Sequence, residues 1–502
     1  MKAFLMYRDR DFDPKGPLPW NEHALVQDLE LDTLFKAMAL GDQFLYEVVR
    51  RAVLSGLQAD LDTIRYRQHI LQDCLQEPSI VRDMYAIAVE ALESERKNYW
   101  SLFSRYPSAI LHRSTDVLAM LVTMLRKLRN VADENAERFQ SEGFRTLFAM
   151  LRRELDDGYF ANVQTHLKNL KFRDGALISA DLGTGNKGIN YILRKPHEKK
   201  ETWVQRLFGP KPLVYSFTLH PRDEAGARAL SELNDKGINL VANALAQSTD
   251  HVLSFFTMLR TELAFYIGCL NLHGQLTQNG EPICFPVPAP SAERKHAFQG
   301  LYDVALSLRL DQRVVGNEAK ADQKDLVIIT GANQGGKSTF LRSIGMAQLM
   351  MQCGMFAPAE SFSANISDGL FTHFKREEDA TMKSGKLDEE LSRMSEVVDH
   401  LSPYSLLLFN ESFAATNERE GSEVARQIVT ALIEKRVKVF FVTHLYEFAH
   451  GFNAKRMDNV LFLRAEREAD GSRTFKLVER EPLQTSYGED SYNRIFGVSR
   501  RV

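Results

Sequence analysis

A glycine-rich segment between an apolar run and a helix-forming run constrains this chain more than any other feature. Residues 331–338 follow the pattern G-x-x-x-x-G-K-S, and the apolar run LVIIT (326–330) precedes them. Phe340, Leu341 and Ile344 then follow at helical spacing. In a strand–loop–helix of this kind, backbone N–H groups and the positive end of the helix surround phosphate oxygens. The sequence therefore predicts a nucleotide-binding P-loop.

The residues of this loop have separate predicted roles. The ammonium group of Lys337 is expected to reach the β- and γ-phosphates, and the hydroxyl of Ser338 is expected to ligate Mg²⁺. The predicted nucleotide-contacting set is Gly331, Ala332, Asn333, Gln334, Gly335, Gly336, Lys337, Ser338 and Thr339.

Two further apolar runs, SLLLF (405–409) and KVFFVT (438–443), lie downstream. Apolar runs without alternation are typical of strands covered on both faces, so the sequence predicts a parallel sheet. The carboxyl ends of such strands share one edge, which places Asn410, Glu411 and His444 near the loop.

Each of these three edge residues has a predicted task. Glu411 is expected to accept a proton from the attacking water, and His444 is expected to donate to the γ-phosphate. Asn410 occupies the position where most P-loop ATPases have an aspartate, and its amide oxygen is expected to hold Mg²⁺ through water. An amide brings no charge, so the alternative at Asn410 is a weakened or lost metal site.

The remaining patterns divide the chain into parts. Apolar residues recur at helical spacing along most of the chain up to about residue 275. The exception is 171–222, where ALISADLG and LVYSFTLH are typical of short strands. FPVPAP (285–290) predicts a stiff linker. We therefore expect a helical domain at 1–284, with a β-rich insertion, followed by an α/β domain at 285–502.

Composition restricts the possible settings. The net charge of the 502 residues is −3, so any nucleic acid must bind to a local basic patch. The four cysteines form no CxxC pair, which fits a reducing compartment better than a disulfide framework. The N-terminus carries charges where a signal peptide needs an apolar run, and no membrane span is expected. We expect a cytoplasmic protein.

The motifs together resemble the MutS family of DNA mismatch-repair ATPases. TGANQGGKST (330–339) matches the family's TG-[PA]-N-x-GGKST, Asn410–Glu411 falls on its D-E, and Thr443–His444 falls on its T-H. Other segments resembling family motifs are LDTIRYRQHILQDCL (61–75), CGMFAPA (353–359), FTHF (371–374) with Asp379, ATNEREG (415–421), SYG (486–488) and IFGV (495–498).

The resemblance implies an ATP- and Mg²⁺-dependent DNA-binding protein that dimerises through its ATPase domain. It implies that 1–284 forms core and lever helices, that 171–222 is a clamp-like insertion, and that 285–502 is an ABC-type P-loop ATPase domain ending in a dimerisation-type element. Mismatch-reading, connector and endonuclease domains are expected to be absent. The signature segment that completes the partner's site is altered and falls on Ser384, Gly385, Lys386 and Glu390.

Clustered basic residues make the insertion the predicted DNA contact, because Lys and Arg neutralise phosphates without reading sequence. Trp203 and Phe208 lie among them, where they are placed to stack on unpaired bases. The alternative is a solvated loop with its own small hydrophobic plug. The candidate DNA-binding residues are Arg194, Lys195, Lys199, Lys200 and Arg206.

Three functional hypotheses follow. The leading one is a DNA-stimulated ATPase in which ATP binding closes a homodimer around DNA, in DNA repair or recombination control. The second is an ATP-gated scaffold that hardly hydrolyses ATP, favoured by Asn410 and Gly385. The third is an ABC-type ATPase of another complex, against which the missing LSGGQ-like signature and the lack of a long coiled coil argue. The preferred DNA structure stays open.

Overall fold

The computed structural model describes residues 1–97, 106–172, 175–195, 215–376, 385–468 and 471–484. The chain forms two compact units. The first unit comprises Met1–Ala3, Arg82–Phe139 and Arg145–Arg260, and the second comprises Phe4–Val81, Gln140–Phe144 and Thr261–Val502. The second unit thus groups the N-terminal helices with the chain after residue 260. The domain boundaries at 284 and at 171–222 stay predictions.

Helices dominate the described chain up to residue 278. Several begin at a side chain that accepts backbone N–H groups, as Asp42 does from Phe44 and Leu45 after the turn at Gly41. The helices are α1 (Glu22–Asp28), α2 (Leu31–Ala39), α3 (Gln43–Ser55), α4 (Leu61–Gln76), α5 (Pro78–Lys97), α6 (Pro107–Asn135), α7 (Glu142–Glu154), α8 (Asp157–Asn169), α9 (Glu224–Gln278), α10 (Val304–Leu310), α11 (Lys337–Gln352), α12 (Lys386–His400), α13 (Glu418–Glu434) and α14 (Tyr446–Ala454).

The strands among the described residues build three sheets: a hairpin β1-β2, a six-stranded sheet with the order β12-β11-β6-β10-β9-β8, and a four-stranded sheet with the order β3-β7-β4-β5. The strands are β1 (Leu177–Leu182), β2 (Gly188–Arg194), β3 (Val287–Ala289), β4 (His296–Leu301), β5 (Asn317–Lys320), β6 (Leu326–Gly331), β7 (Ser361–Asn365), β8 (Leu370–Phe374), β9 (Leu406–Asn410), β10 (Lys438–Val442), β11 (Val460–Arg467) and β12 (Arg473–Glu479).

Where it is described, the first unit consists of helices and one antiparallel hairpin. Strand β1 confirms the strand expected at ALISADLG, and it pairs with β2 so that Leu177 lies opposite Arg194. The strand expected at LVYSFTLH is wrong for residues 215–220, which form no strand. A Cβ at Gly237 would lie 2.5 Å from Cδ1 of Ile178, so this glycine lets the hairpin approach helix α9 closely.

Helix α9 is the one described helix long and apolar enough to cross a membrane by length and composition. However, 72% of its most apolar window is buried inside the protein. Burial of this extent is typical of a core helix, whose apolar side chains pack against other parts of the protein.

The six-stranded sheet of the second unit confirms the parallel sheet expected from the three apolar runs. Strands β6, β9 and β10 are parallel neighbours, and Val442 at the end of β10 lies opposite both Ile329 and Asn410. Strand β12 is the antiparallel edge strand. Every residue of β10 is buried, so the sheet is covered on both faces at its centre. The register brings the carboxyl ends of β6, β9 and β10 to one edge.

The stiff linker expected at FPVPAP is wrong. Val287 and Pro288 lie in strand β3, which pairs in parallel with β7 opposite Ser363 and Ala364. Strand β3 is at the edge of its sheet. An edge strand tolerates proline because the missing N–H faces away from the neighbouring strand.

A buried carboxylate fixes the N-terminal segment of the second unit. Glu262 on α9 is fully buried. Its oxygens accept hydrogen bonds from the backbone N–H groups of Leu5 (2.5 Å), Met6 (3.3 Å) and Phe12 (2.8 Å). The hydroxyl of Tyr266, one helical turn later, donates to the carbonyl of Leu5. Removing the carboxylate would leave buried donors without partners, which costs free energy.

We predict that Glu262→Gln lowers the free energy of unfolding by about 1–3 kcal/mol, because an NH₂ group would face a backbone N–H. Urea unfolding followed by circular dichroism measures the change. Glu232→Gln, at an exposed position of the same helix, is the control and should change stability by less than about 0.5 kcal/mol. Equal effects of the two substitutions would contradict the anchoring role of Glu262.

The stability difference between wild type and Glu262→Gln should also depend on pH. Burial raises the pKa of Glu262 to about 7 in the folded protein. A carboxyl whose folded pKa exceeds its unfolded pKa stabilises the fold most when protonated, and this contribution is lost as pH rises through the folded value. The advantage of the wild type should therefore shrink between about pH 4.5 and about pH 7. A constant difference would contradict this.

Candidate active site

The predicted P-loop lies between β6 and α11, at the carboxyl edge of the six-stranded sheet. Gly331 has φ 112° and Gly336 has φ 84°, a left-handed backbone that favours glycine. A Cβ at Gly331 would also lie 2.8 Å from the backbone nitrogen of Ala465 on β11. Gly336 immediately precedes α11. The backbone of the loop can therefore close over an anion in front of the helix N-terminus.

Lys337 is held inside this loop. Its side chain is buried, and Nζ donates hydrogen bonds to the carbonyls of Gly331 (3.1 Å) and Ala332 (2.9 Å). Burial lowers the pKa of Lys337 to about 8, with Arg473 lowering it further and Glu411 opposing the shift. Nearby anionic oxygens would favour the charged ammonium, so the loop is suited to receive phosphate.

The two residues predicted to hold magnesium lie together. The hydroxyl of Ser338 donates to Oδ1 of Asn410 at 2.9 Å, although the residues are far apart in sequence. Both are oxygen ligands of the kind that Mg²⁺ prefers. The side chains present therefore fit a magnesium ion bound to nucleotide phosphates, with one neutral amide where a carboxylate would add charge.

Glu411 and His444 form a pair at the ends of β9 and β10. Nε2 of His444 lies 3.0 Å from Oε1 of Glu411, and the backbone N–H of Glu411 donates to the carbonyl of Val442. The hydrogen bond from His444 is the main cause of a lowered Glu411 pKa, with Lys337 and Lys375 adding to it. A carboxylate kept ionised and partly exposed is able to take a proton from water.

The backbone after β9 has an unusual shape. Glu411 and Phe413 have positive φ values of 54° and 62°. Residues other than glycine rarely adopt this backbone conformation, and they do so where the surrounding structure imposes it. Here the backbone N–H of Phe413 donates a hydrogen bond to Oε2 of Glu390 at 2.8 Å. Nδ1 of His373 is hydrogen-bonded to Oγ of Ser412 at 2.7 Å. These contacts set the direction in which Glu411 leaves the strand.

Glu390 was predicted to be part of a signature segment that faces a partner subunit. In the structure its side chain is buried within this chain. It is 4% exposed, and its backbone carbonyl contacts Nε2 of His373 at 3.0 Å. Burial raises the pKa of Glu390 and lowers that of His373 to about 4. Helix α12 begins at Lys386, and Gly385, which precedes it as the N-cap residue, is exposed. Ser384 lies outside the described residues.

Two residues of the site were missed from the sequence. Arg473 on β12 donates from Nε to the carbonyl of Asn333 at 3.4 Å. Phe475, on the same strand, is 48% exposed and lies against Gly336. The dipeptide Asp470–Gly471 between apolar runs is a hairpin signal that could have placed this strand.

A cavity of about 670 Å³ adjoins the P-loop beside Phe475. Its lining joins Gly336 and Thr339 of the loop region to the apolar side chains of Leu310 and Val315. A site that is mostly apolar, open beside a phosphate-binding loop and next to an exposed aromatic ring is suited to a planar base.

The predicted DNA-binding residues are only partly described. Arg194 ends β2 and Lys195 follows it; both are exposed, and Nε of Arg194 donates to Oγ of Ser179 at 2.8 Å. Lys199, Lys200 and Arg206 lie outside the described residues, as do the aromatic residues Trp203 and Phe208.

Comparison with known proteins gives two family matches. The model of the MutS2 N-terminal domain matches residues 59–279, and that of MutS domain V matches residues 327–496. Together they cover most of the chain.

Individual relatives agree with these matches. The DNA mismatch repair protein MutS of Streptococcus gordonii is 27% identical over 64% of this chain and 40% of its own length. The protein of the same name from Thermus aquaticus is 32% identical over 33% of this chain and 20% of its own length. Human MutS protein homolog 4 is 28% identical over 30% of this chain and 16% of its own length. The chain thus spans less than half the length of these relatives.

We predict that Glu390→Ala lowers the free energy of unfolding by about 1–3 kcal/mol, because the buried N–H of Phe413 loses its acceptor. Glu389→Ala, at the preceding position of the same helix, removes only the pairing with Arg393. It should change stability by less than about 1 kcal/mol. Chemical denaturation of both variants measures the difference. Equal stability of the two variants would show that Glu390 does not hold the turn after β9.

Proposed function

The chain belongs to the MutS superfamily, and we propose that it is an ATPase that couples ATP binding and hydrolysis to the binding of DNA. One observation carries the proposal: Lys337, Ser338, Asn410, Glu411 and His444, which are distributed over more than a hundred residues of sequence, meet at one edge of the sheet. This is the edge at which α/β proteins bind their ligands.

Each side chain has a role toward the triphosphate. Lys337 exchanges its hydrogen bonds with the loop carbonyls for phosphate oxygens, and the loop N–H groups bind the same anion. Ser338 and Asn410 would hold Mg²⁺, which supplies positive charge beside the β- and γ-phosphates. Phe475 and the adjoining cavity take the adenine ring, and Arg473 adds a positive charge beside Asn333.

Glu411 acts as the general base. It accepts a proton from the attacking water, and until ATP binds His444 holds one of its carboxylate oxygens at 3.0 Å. This hydrogen bond lowers the pKa of Glu411 and so keeps the carboxylate ionised. When phosphate is present, His444 is placed to turn its donor toward the γ-phosphate and so to report that the phosphate is there. Hydrolysis would release this contact.

The DNA-binding part of the proposal rests on the family and on the relatives, whose names refer to DNA mismatch repair. We assign 1–284 to the core and lever helices, 171–222 to a clamp-like arm and 285–502 to the ATPase domain. A homodimer forms through the ATPase domain, with Gly385 and Lys386 facing the partner's phosphates. The setting is cytoplasmic, and the ATPase is stimulated by DNA.

A second candidate is an ATP-gated scaffold with little turnover. The observation in its favour is the neutral amide of Asn410 beside Ser338, which gives Mg²⁺ less electrostatic stabilisation than a carboxylate would. In this case ATP binding would still change the state of the protein, whereas hydrolysis would be slow with or without DNA.

We expect Lys337→Ala and Glu411→Gln to separate ATP binding from hydrolysis. Lys337→Ala should remove tight ATP binding, because the loop loses its ammonium group. Glu411→Gln should keep ATP binding and lower the hydrolysis rate by about 10²–10⁴-fold, because the amide cannot take the proton. Equilibrium binding of ATP and steady-state phosphate release, with and without DNA, measure the two effects.

Glu447→Gln is the matched control, since it changes a glutamate on α14 that has no part in the proposed chemistry. Its hydrolysis rate should equal that of the wild type. Unchanged turnover in Glu411→Gln would mean that the general base lies elsewhere. Wild-type ATP binding without measurable turnover would favour the scaffold, and no ATP binding by the wild type would reject both functions.

A further inference from the structure

A groove between helices α6 and α8 of the first unit carries unbalanced positive charge. The cavity has a volume of about 540 Å³. Val122 and Leu167 give it an apolar floor, and Arg126, Lys168 and Lys171 line it. No acidic side chain is among its described lining residues. The groove therefore combines small apolar surface with three cations.

The two lysines of the groove are not neutralised by a carboxylate of the described chain, unlike the nearby Lys127. Lys168 and Lys171 are exposed, and neither side chain forms an ion pair with any residue that the structure describes. By contrast, Lys127 pairs with Glu90 at 2.7 Å. A cation already paired with a carboxylate offers little further attraction to an anion, whereas an unpaired one keeps its full charge.

Arg126 is fixed at the other wall of the groove. Its guanidinium lies over the ring of Phe160, with 4.7 Å between the guanidinium carbon and the ring centroid. Phe160 is buried on α8, so the stacking contact joins the two helices that form the groove. A stacked guanidinium loses little rotamer freedom when it binds phosphate through its N–H groups.

The segment that follows α8 packs against the hairpin β1-β2. Leu170 and Phe172, directly after α8, pack in one apolar cluster with Leu193 of β2 and with Ile238 of α9. Arg194 follows Leu193 in the chain. The cations of the groove and the exposed cations Arg194 and Lys195 therefore belong to one continuous part of the first unit.

We propose that this basic groove, which includes the first residue of the arm, Lys171, binds the sugar–phosphate backbone of DNA as a contact separate from the hairpin cations Arg194 and Lys195. Phosphates would meet Arg126, Lys168 and Lys171, and the sugars would lie against the apolar floor. An extended polyanion fits three separate cations in an open groove better than a small anion does, and such contacts do not depend on base sequence. The inference rests on the proposed DNA-binding function.

The test compares two double variants of the full chain. Lys168→Gln with Lys171→Gln changes the groove, and Arg194→Gln with Lys195→Gln changes the hairpin cations. Fluorescence anisotropy with a short labelled duplex of mixed sequence, at several salt concentrations and with ATP, gives log affinity against log salt. Each lost phosphate contact lowers the steepness of this line by about 0.9, so the groove variant should lower it by about 1.8.

Lys127→Gln is the matched control, because it removes an exposed lysine that is already paired, and it should leave the slope unchanged. Circular dichroism checks that all variants are folded. The groove variant should bind a second duplex of different sequence with the same loss, since phosphate contacts do not read bases.

The possible failures are distinguishable. An unchanged slope in the groove variant, with normal DNA binding by the wild type, overturns the groove and leaves the proposed function intact. No DNA binding by the wild type overturns both. If the groove variant keeps full DNA binding but loses binding to polyglutamate, the groove serves an acidic protein segment, and the proposal is wrong.

Discussion

An ammonium group held away from water at the edge of a parallel sheet is the constraint on which the candidate site depends. Lys337 is 5% exposed, and two carbonyls of the preceding loop stabilise its charge. Burying a charge is costly unless such partners compensate it. The glycines at 331 and 336 allow the loop to present these carbonyls to Lys337 in front of the helix N-terminus. The loop, helix α11 and Lys337 therefore act together as one phosphate-binding unit.

Helix α11 and strand β8, which lie beside this site, are held by ion pairs to the N-terminal helices. Arg342 on α11 pairs with Glu30, just before α2, and with Asp303, just before α10. Arg376, after β8, pairs with the buried Asp28 of α1 at 2.7 Å. Residues 1–58 lie outside both family matches, yet they provide the carboxylates that hold the P-loop helix and the strand leading to the signature segment. Displacement of either element would leave the buried carboxylates Asp303 and Asp28 without their arginine partners, which is costly.

How far the sequence could predict the structure depended on the range of the interactions involved. The P-loop and the strands β6, β9 and β10 were predictable, because each is a local pattern of apolar runs and glycines. The location of Glu411 and His444 near the loop followed from the rule that parallel strands end at one edge, whereas their mutual hydrogen bond was not predicted. The strand at 287–289 was missed because it forms by pairing with β7, more than seventy residues later in the sequence. The prolines in this segment are not typical of a strand.

Side-chain direction was the other limit. Spacing from Asp379 placed Glu390 on the altered signature, but only packing decides that its carboxylate turns inward to the N–H of Phe413. Arg473 and Phe475 reach the loop because β12 folds back beside β11, a contact across more than a hundred residues of sequence. Glu262 had no sequence signal, because its three partners lie about 250 residues away.

Proton uptake on binding MgATP tests most directly whether Lys337 is the phosphate-binding cation. Because burial lowers the pKa of Lys337 to about 8 in the free protein and phosphate oxygens favour the charged form, binding should raise that pKa. Calorimetry in buffers of different ionisation enthalpy should show uptake of about half a proton at about pH 8 and about a tenth at about pH 7. ATP binding with no proton uptake at either pH would contradict the account.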